Sequence, residues 1–140
     1  MIRAVLDANV FASGVLGFDR ESSTPGALLR AWERRAFDLI TSEALIVEIE
    51  RTLANPYFTA RVSERVIRLT LAALKEDAIE TTITVAVTGV ATHPEDDLVL
   101  AAAASALANY LVTGDKQLQL LKSYGSVAIV GPKEFLAHIA

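Results

Sequence analysis

The chain has 140 residues, a formal net charge of −4 at pH 7 and no cysteine. This length is typical of one domain, and we expect a single domain over residues 1–140. The lack of cysteine excludes disulfides, zinc–thiolate sites and thiol nucleophiles. A composition that is 52% hydrophobic and 21% charged excludes a disordered chain. The negative charge argues against binding of nucleic acid by overall attraction, so a polyanion would need a local basic patch or bound cations.

Neither of the longer apolar stretches is typical of a membrane segment. The uncharged run Leu98–Gly114 lies at the short limit for a membrane span and is interrupted by polar residues. The N-terminal apolar stretch ends at Asp7, too early for a signal peptide. We therefore expect a soluble, cytoplasmic protein with no membrane partner.

The first half of the chain alternates predicted strands and helices. Residues 2–6 form a short apolar run that predicts a buried strand, and a helix is expected around residues 10–16. Breaker and polar residues over 17–23 predict a loop, after which Thr24 and Pro25 predict the N-cap and first turn of a second helix. The next elements are a strand over residues 37–40 and a helix capped by Ser42 and ended by Asn55 and Pro56.

The second half continues the alternation. A helix starts at Ser63, and β-branched residues that alternate with threonine predict a third strand over Ile79–Val87. An acidic helix start over residues 93–97 leads into an alanine-rich helix, Leu98–Ala108. The last elements are a strand over 110–113, a short helix around 116–121, a strand over 127–130 and a helix from Pro132. This alternation predicts an α/β fold, a three-layer α/β/α sandwich whose sheet has four to five mostly parallel strands.

Four acidic residues are associated with the carboxyl ends of the predicted strands, where such sheets bind their ligands. Asp7 ends the first strand, Glu48 lies in the helix after the second, Asp97 begins the helix after the third, and Asp115 follows the fourth. Carboxylates that share a site raise each other's pKa, and a hard divalent cation relieves their repulsion. The sequence therefore predicts one or two Mg²⁺ or Mn²⁺ ions, which could activate water for phosphodiester hydrolysis.

Each acid also has an ordinary structural explanation. Asp7 could bond to its own loop, Glu48 could be solvated, Asp96 and Asp97 could favour a helix N-terminus, and Asp115 could be a turn or cap residue. Only the shared sheet edge, rather than any single acid, carries the prediction of a metal site.

Four segments of the chain resemble successive motifs of PIN domains, particularly those of bacterial and archaeal VapC-type proteins described as toxin components. These segments are Val5–Val10, Thr41–Ile49, Pro94–Ala102 and Tyr110–Asp115. The resemblance covers essentially the whole chain, in order and at the usual spacing. It implies a Mg²⁺- or Mn²⁺-dependent endoribonuclease that acts on RNA, is often a homodimer and is inhibited by a small antitoxin protein.

Carried over by position, the resemblance implies an acidic quartet that is both catalytic and metal-binding. Its members would be Asp7, Glu48, Asp97 and Asp115. Asn9 and Thr113 would orient carboxylates or water beside the quartet. Asp97 is preferred to Asp96 because it directly precedes the Leu-x-Leu-Ala segment, as the third acid does in the family. Asp96 would then be a supporting residue that shares the metal or caps the helix.

The acidity of the chain differs from many RNA-cutting relatives, which present a basic surface. The candidates for contact with RNA phosphates are Lys116, Arg61, Arg65 and Arg68. The three arginines are spaced to form a stripe along one helix, although a pair between Glu64 and Arg68 would equally fit a solvated helix face.

Three other functions compete with the nuclease. The main alternative is a PIN-like module that binds protein or RNA without turnover. A receiver-type signalling domain would need a pair of acids that Asp7-Ala8-Asn9 does not supply. A phosphatase of the haloacid-dehalogenase type would need Asp-x-Asp where the chain has Asn9.

Overall fold

The computed structural model describes residues 1–91 and 93–139. Its strands form one six-stranded sheet in the order β3-β2-β1-β4-β6-β5. Neighbouring strands are parallel except for the edge pair of β5 and β6. The strands are β1 (Arg3–Leu6), β2 (Asp38–Thr41), β3 (Ile79–Glu80), β4 (Tyr110–Val112), β5 (Ser123–Tyr124) and β6 (Val127–Val130). The short β5, which the sequence did not predict, brings the sheet to six strands.

Helices alternate with these strands, which confirms the predicted α/β fold. They are α1 (Ala8–Leu16), α2 (Thr24–Glu33), α3 (Glu43–Leu53), α4 (Pro56–Thr59), α5 (Glu64–Asp77), α6 (Pro94–Ser105), α7 (Lys116–Gln119) and α8 (Pro132–Ile139). Ser23 rather than Thr24 caps α2, because its hydroxyl accepts the Gly26 N–H. Within residues 1–91 and 93–139, no helix has the length and apolarity that a membrane crossing requires.

The core is centred on the two middle strands. Ala4, Val5 and Leu6 of β1 are all buried although their side chains alternate between the two faces of the sheet. Both faces of β1 are therefore covered, as expected for a central parallel strand between layers of helices. Leu111 and Val112 of β4 are equally buried.

The predicted third strand is shorter in the structure than its β-branched pattern indicates. It pairs with β2 only over Ile79–Glu80, and the Thr81 N–H then donates to the Thr41 carbonyl at 2.8 Å. Ser42 caps α3 directly after this point, so the neighbouring chain is helical from there on. The N–H groups of Thr84 and Val85 donate instead to the Ser105 hydroxyl, at 2.9 and 3.0 Å. The prediction of a strand over 79–87 is thus wrong beyond residue 80, because β2 has ended.

The strand order places a topological switch point between β1 and β4. From β1 the chain moves outward through β2 and β3, and it then returns to the other side of β1 to form β4. Helices after β1 and β4 diverge at such a point and leave a crevice at the carboxyl ends of the strands. In the parallel register Leu6 pairs with Val112, so the next residues, Asp7 and Thr113, stand side by side at this crevice.

Candidate active site

Asp7 lies at the bottom of the crevice and is held on both carboxylate oxygens. Its Oδ1 accepts the N–H of Val10 at 2.8 Å and thereby caps α1. Its Oδ2 accepts a short hydrogen bond from the Thr113 hydroxyl. The Asp7 N–H donates to the Val112 carbonyl at 3.0 Å, which extends the β1–β4 ladder. This carboxylate therefore has little freedom to rotate.

The environment of Asp7 raises its pKa. Burial is the main cause, because the side chain is only 8% exposed and the charged form loses its hydration. The negative charge of Asp115 adds to the rise, whereas the hydrogen bonds from Thr113 and Val10 oppose it. The net rise indicates that the fold places a carboxylate where its negative charge is poorly compensated.

Thr113 joins Asp7 to a second acid, Asp115. The Thr113 side chain is fully buried, and its Oγ1 accepts the N–H of Asp115 at 3.1 Å while its hydroxyl donates to Asp7. Asp115 is the N-cap of α7, and its Oδ1 accepts the N–H groups of Gln117 and Leu118 at 2.8 and 3.3 Å. One hydroxyl thus links the carboxylate of Asp7 to the backbone of Asp115.

Glu48 reaches the same crevice from α3. The helix begins at the Ser42 cap directly after β2, so Glu48 lies within its second turn, and it lines the same space as Asp7. Its carboxylate is partly exposed and forms an ion pair with Arg51, with 2.8 Å between Glu48 Oε2 and Arg51 Nη1. The sequence pattern of α3 contains this i,i+3 pair, but Arg51 was not among the predicted site residues.

The two adjacent acids of α6, Asp96 and the predicted ligand Asp97, have different surroundings. Asp96 lines the crevice, whereas Asp97 turns to the preceding loop. The Asp97 carboxylate accepts the N–H groups of Gly89, Val90 and Ala91 at 3.0, 3.2 and 2.7 Å. Asp97 therefore holds the loop, and Asp96 stands with the other acids.

The pKa of Asp96 is raised as well. Burial is the largest cause, followed by the negative charges of Asp115 and Asp7, while His93 opposes the rise. Asp96 therefore lies close enough to the two acids at the ends of β1 and β4 for their negative charges to raise its pKa. Glu95, on the same helix turn, adds a smaller contribution of the same sign.

The acids enclose a cavity of about 310 Å³, called the acid cavity below. Its acidic lining residues are Asp7, Glu48, Glu95, Asp96 and Asp115, and Asn9, Ser42 and His93 also line it. Among the described residues that line it, none is a lysine or an arginine. Ser42, His93 and Glu95 were not predicted as site residues, although the cap of α3 and the acidic start of α6 placed them near the strand ends.

The acid cavity offers the donor type that a divalent cation prefers, namely carboxylate oxygens with few competing positive charges. The raised pKa values of Asp7 and Asp96 are consistent with a site that gains from a bound cation. Within residues 1–91 and 93–139, however, no three histidine, aspartate or glutamate side chains stand in an arrangement that could hold an ion directly. Binding would therefore require side chains to rotate, most simply Glu48, whose carboxylate is partly exposed and forms an ion pair with Arg51.

The basic residues predicted to face RNA lie outside the acid cavity. Lys116 follows Asp115 and is exposed, but it does not line the cavity. Arg65 is exposed on α5, and Arg68 forms an ion pair with Glu64 on that helix at 3.8 Å. Arg61 stacks on the ring of Tyr57, with 4.0 Å between its guanidinium carbon and the ring centroid.

Comparison with known proteins identifies the family. The family model of the PIN domain matches residues 3–117, which include β1, β4 and every acid of the cavity. A search of curated proteins finds no match. PIN domains are generally nucleases that act on nucleic acid, and they generally use divalent metals. The match covers most of the chain, and the chain therefore belongs to the PIN-domain family.

Proposed function

We propose that the protein is a metal-dependent endoribonuclease that hydrolyses RNA phosphodiesters with water as the nucleophile. The observation that carries this proposal is the acid cavity at the switch point of the sheet, into which four separate chain segments bring Asp7, Glu48, Asp96 and Asp115. Carboxylates in such numbers are costly to a fold that makes no use of them, because each opposes the ionisation of its neighbours.

The proposed ligands of one or two Mg²⁺ or Mn²⁺ ions are Asp7, Asp96, Asp115 and Glu48. Bound there, the metal would lower the pKa of a water molecule and neutralise charge on the phosphate. Asp96 takes the position that the sequence resemblance gave to Asp97, because Asp97 is already engaged by three backbone N–H groups.

The surrounding residues have positioning roles in this proposal. Thr113 connects the Asp7 carboxylate to the backbone of Asp115 through one hydroxyl, so the Asp7 side chain loses less freedom when a cation binds. Asn9 lines the exposed side of the cavity and can hydrogen-bond to water or to a phosphate oxygen. Asp97 fixes the 89–91 loop beside the cavity.

The test is incubation of the purified protein with total RNA in the presence of Mg²⁺ or Mn²⁺, with and without EDTA, beside the Asp7→Asn variant. Wild-type protein should cleave RNA only when the metal is free to bind, and Asp7→Asn should lose cleavage while remaining folded. Cleavage that persists in excess EDTA, or an Asp7→Asn variant with the wild-type rate, would contradict the proposal.

We also propose, from the resemblance to VapC-type proteins, that the nuclease is a cytoplasmic toxin, forms a homodimer and is inhibited by a small antitoxin. Induced expression should then arrest growth of a bacterial host, and Asp7→Asn should relieve the arrest. Light scattering of the purified protein measures the oligomeric state independently of activity.

A PIN-like module that binds RNA or protein without turnover is the second candidate. It is favoured by one observation, that no three acids of the described chain are gathered in a ready metal site. Such a module would retain RNA in a binding assay with Mn²⁺ present and leave it intact. Cleavage that depends on Asp7 would exclude it.

A further inference from the structure

A second concave surface adjoins the acid cavity where α3 turns into α4. This groove, called the α3–α4 groove, encloses about 430 Å³ and is lined in part by Asn9, Glu48, Arg51, Asn55 and Tyr57. Asn9 and Glu48 also line the acid cavity, so the two spaces meet at these side chains. A polymer that enters the acid cavity can therefore continue into the groove.

Arg51 provides positive charge at this junction. Its side chain is 71% exposed, and its Nη1 lies 2.8 Å from Oε2 of Glu48. Glu48 lines the acid cavity as well as the groove, so rotation of its carboxylate towards a cation would release the guanidinium of Arg51. A planar guanidinium binds phosphate oxygens well, and the phosphate of an adjacent nucleotide is the natural replacement for the lost carboxylate.

Tyr57 provides an aromatic surface in the same groove. It is 53% exposed, so part of its ring is available to a ligand. Its backbone is held at both ends, because its N–H donates to Asn55 Oδ1 at 2.9 Å and its carbonyl accepts a hydrogen bond from Arg61 Nη1 at 2.8 Å. The Arg61 guanidinium carbon lies 4.0 Å from the ring centroid. An ordered aromatic–arginine stack is a platform on which an unpaired base can stack.

We propose that the α3–α4 groove binds one nucleotide of single-stranded RNA beside the phosphate that is cut, with the Tyr57–Arg61 stack against the base and Arg51 on a phosphate. This inference rests on the proposed nuclease function and adds to it a binding subsite for one nucleotide. A single strand is required because the bases of a duplex are already stacked and paired, and their faces are not available. The groove also offers a chain of net charge −4 a way to bind a polyanion, since Arg51 lines it beside Glu48 and Arg61 stacks on its Tyr57 ring.

The experiment measures binding and cleavage of a fluorescein-labelled oligoribonucleotide, single-stranded or annealed to its complement. Binding is followed by fluorescence anisotropy in the Asp7→Asn background, which prevents turnover, with Mn²⁺ in excess to offset the weaker metal binding of this variant, and kcat and KM are measured with active protein. The variants are Tyr57→Ala, Tyr57→Phe and Arg51→Gln. Lys75→Gln is the matched control, because it also removes one exposed positive charge that is paired with a glutamate of α3, Glu50, away from the groove.

Tyr57→Ala should weaken binding of the single strand and raise KM by about fivefold or more, whereas Tyr57→Phe, which keeps the ring, should stay near the wild-type value. Arg51→Gln should reduce the slope of log affinity against log salt by about 0.7, the loss of one phosphate contact to a single strand. Lys75→Gln should leave the affinity and the salt slope unchanged. The duplex should bind more weakly than the single strand. Thermal unfolding of each variant checks that it is folded.

The proposal is overturned if folded Tyr57→Ala and Arg51→Gln both bind within about twofold of the parent protein, or if duplex binds as tightly as single strand. If the wild type still cleaves RNA, such a result contradicts the groove proposal but not the nuclease proposal. Binding that depends on Tyr57, without any metal-dependent cleavage, contradicts the nuclease proposal but not RNA binding in the groove. If neither Tyr57-dependent binding nor metal-dependent cleavage is found, both proposals are wrong.

Discussion

The hydroxyl of Thr113 donates a hydrogen bond to Oδ2 of Asp7 across the two central strands of the sheet. The contact joins residues 106 positions apart in the sequence, and the parallel register of β1 and β4 brings it about. The same oxygen of Thr113 accepts the N–H of Asp115. The geometry of the acid cavity therefore depends on a neutral residue that is buried beneath it.

Replacing Thr113 by valine should shift the pH dependence of cleavage. The Thr113 hydroxyl stabilises the ionised form of Asp7 and lowers its pKa, so its loss raises that pKa further. If cleavage requires ionised Asp7, the acid limb of the plot of kcat/KM against pH should move to higher pH. Activity at neutral pH should fall by about 10- to 100-fold, as for other residues that orient metal ligands.

Thr113→Ser is the control for this substitution, because it keeps the hydroxyl in a fully buried position. It should retain the wild-type acid limb. An unchanged acid limb in Thr113→Val, with the protein folded, would show that the hydroxyl does not act through the ionisation of Asp7.

Asparagine substitutions should separate the two adjacent acids of α6. Asp96→Asn should abolish cleavage with no loss of stability, because it removes one charge from a cavity that contains several. Asp97→Asn should lower the free energy of unfolding by about 1–3 kcal/mol, because an amide cannot accept all of the N–H groups of residues 89–91 that the carboxylate accepts. Denaturant unfolding and RNA cleavage measure the two effects. An Asp97→Asn variant that is fully stable but inactive, beside an active Asp96→Asn, would identify Asp97 as the ligand after all.

The raised pKa values of Asp7 and Asp96 predict how stability depends on pH in the metal-free protein. A raised folded-state pKa means that the native state binds the proton more tightly than the unfolded chain does. The resulting stabilisation is fully present below the ordinary value of 3.8 and is lost as the pH rises through the folded-state pKa. In Asp7→Asn the side chain is neutral at every pH, so no buried charge opposes folding at neutral pH. In EDTA at neutral pH, this variant should therefore melt several degrees above the wild type.

The difference between Asp7→Asn and the wild type should shrink as the pH falls, because the wild-type carboxyl becomes neutral. Melting curves between neutral and acidic pH follow this difference. If Asp7→Asn is less stable than the wild type at neutral pH, the hydrogen bonds to the Asp7 carboxylate stabilise the fold by more than the burial of its charge destabilises it.

The strand ends could be predicted from the sequence, and with them most of the site. Asp7 and Asp115 follow short apolar runs that are typical of buried strands, and the parallel order of the sheet brings their ends together. The choice between Asp96 and Asp97 could not be predicted in the same way. It depends on the rotation of α6 about its axis, which the contacts of the 89–91 loop determine.

Two other features depended on neighbours that a single segment does not reveal. The pattern over residues 79–87 is typical of a strand, yet β3 stops where β2 gives way to the Ser42 cap of α3. The i,i+3 spacing of Glu48 and Arg51 predicts an ion pair. Only the fold shows that this pair stands between the acid cavity and the α3–α4 groove.

Titration calorimetry of Mn²⁺ into the metal-free protein tests most directly whether the carboxylates of the acid cavity act together as a cation site. The wild type should take up one or two ions with measurable heat. Asp7→Asn and Asp96→Asn should each bind at least about tenfold more weakly, whereas Asp97→Asn should retain near-wild-type affinity. Absence of binding to the folded wild type, or equal binding by wild type, Asp7→Asn and Asp96→Asn, would contradict the account.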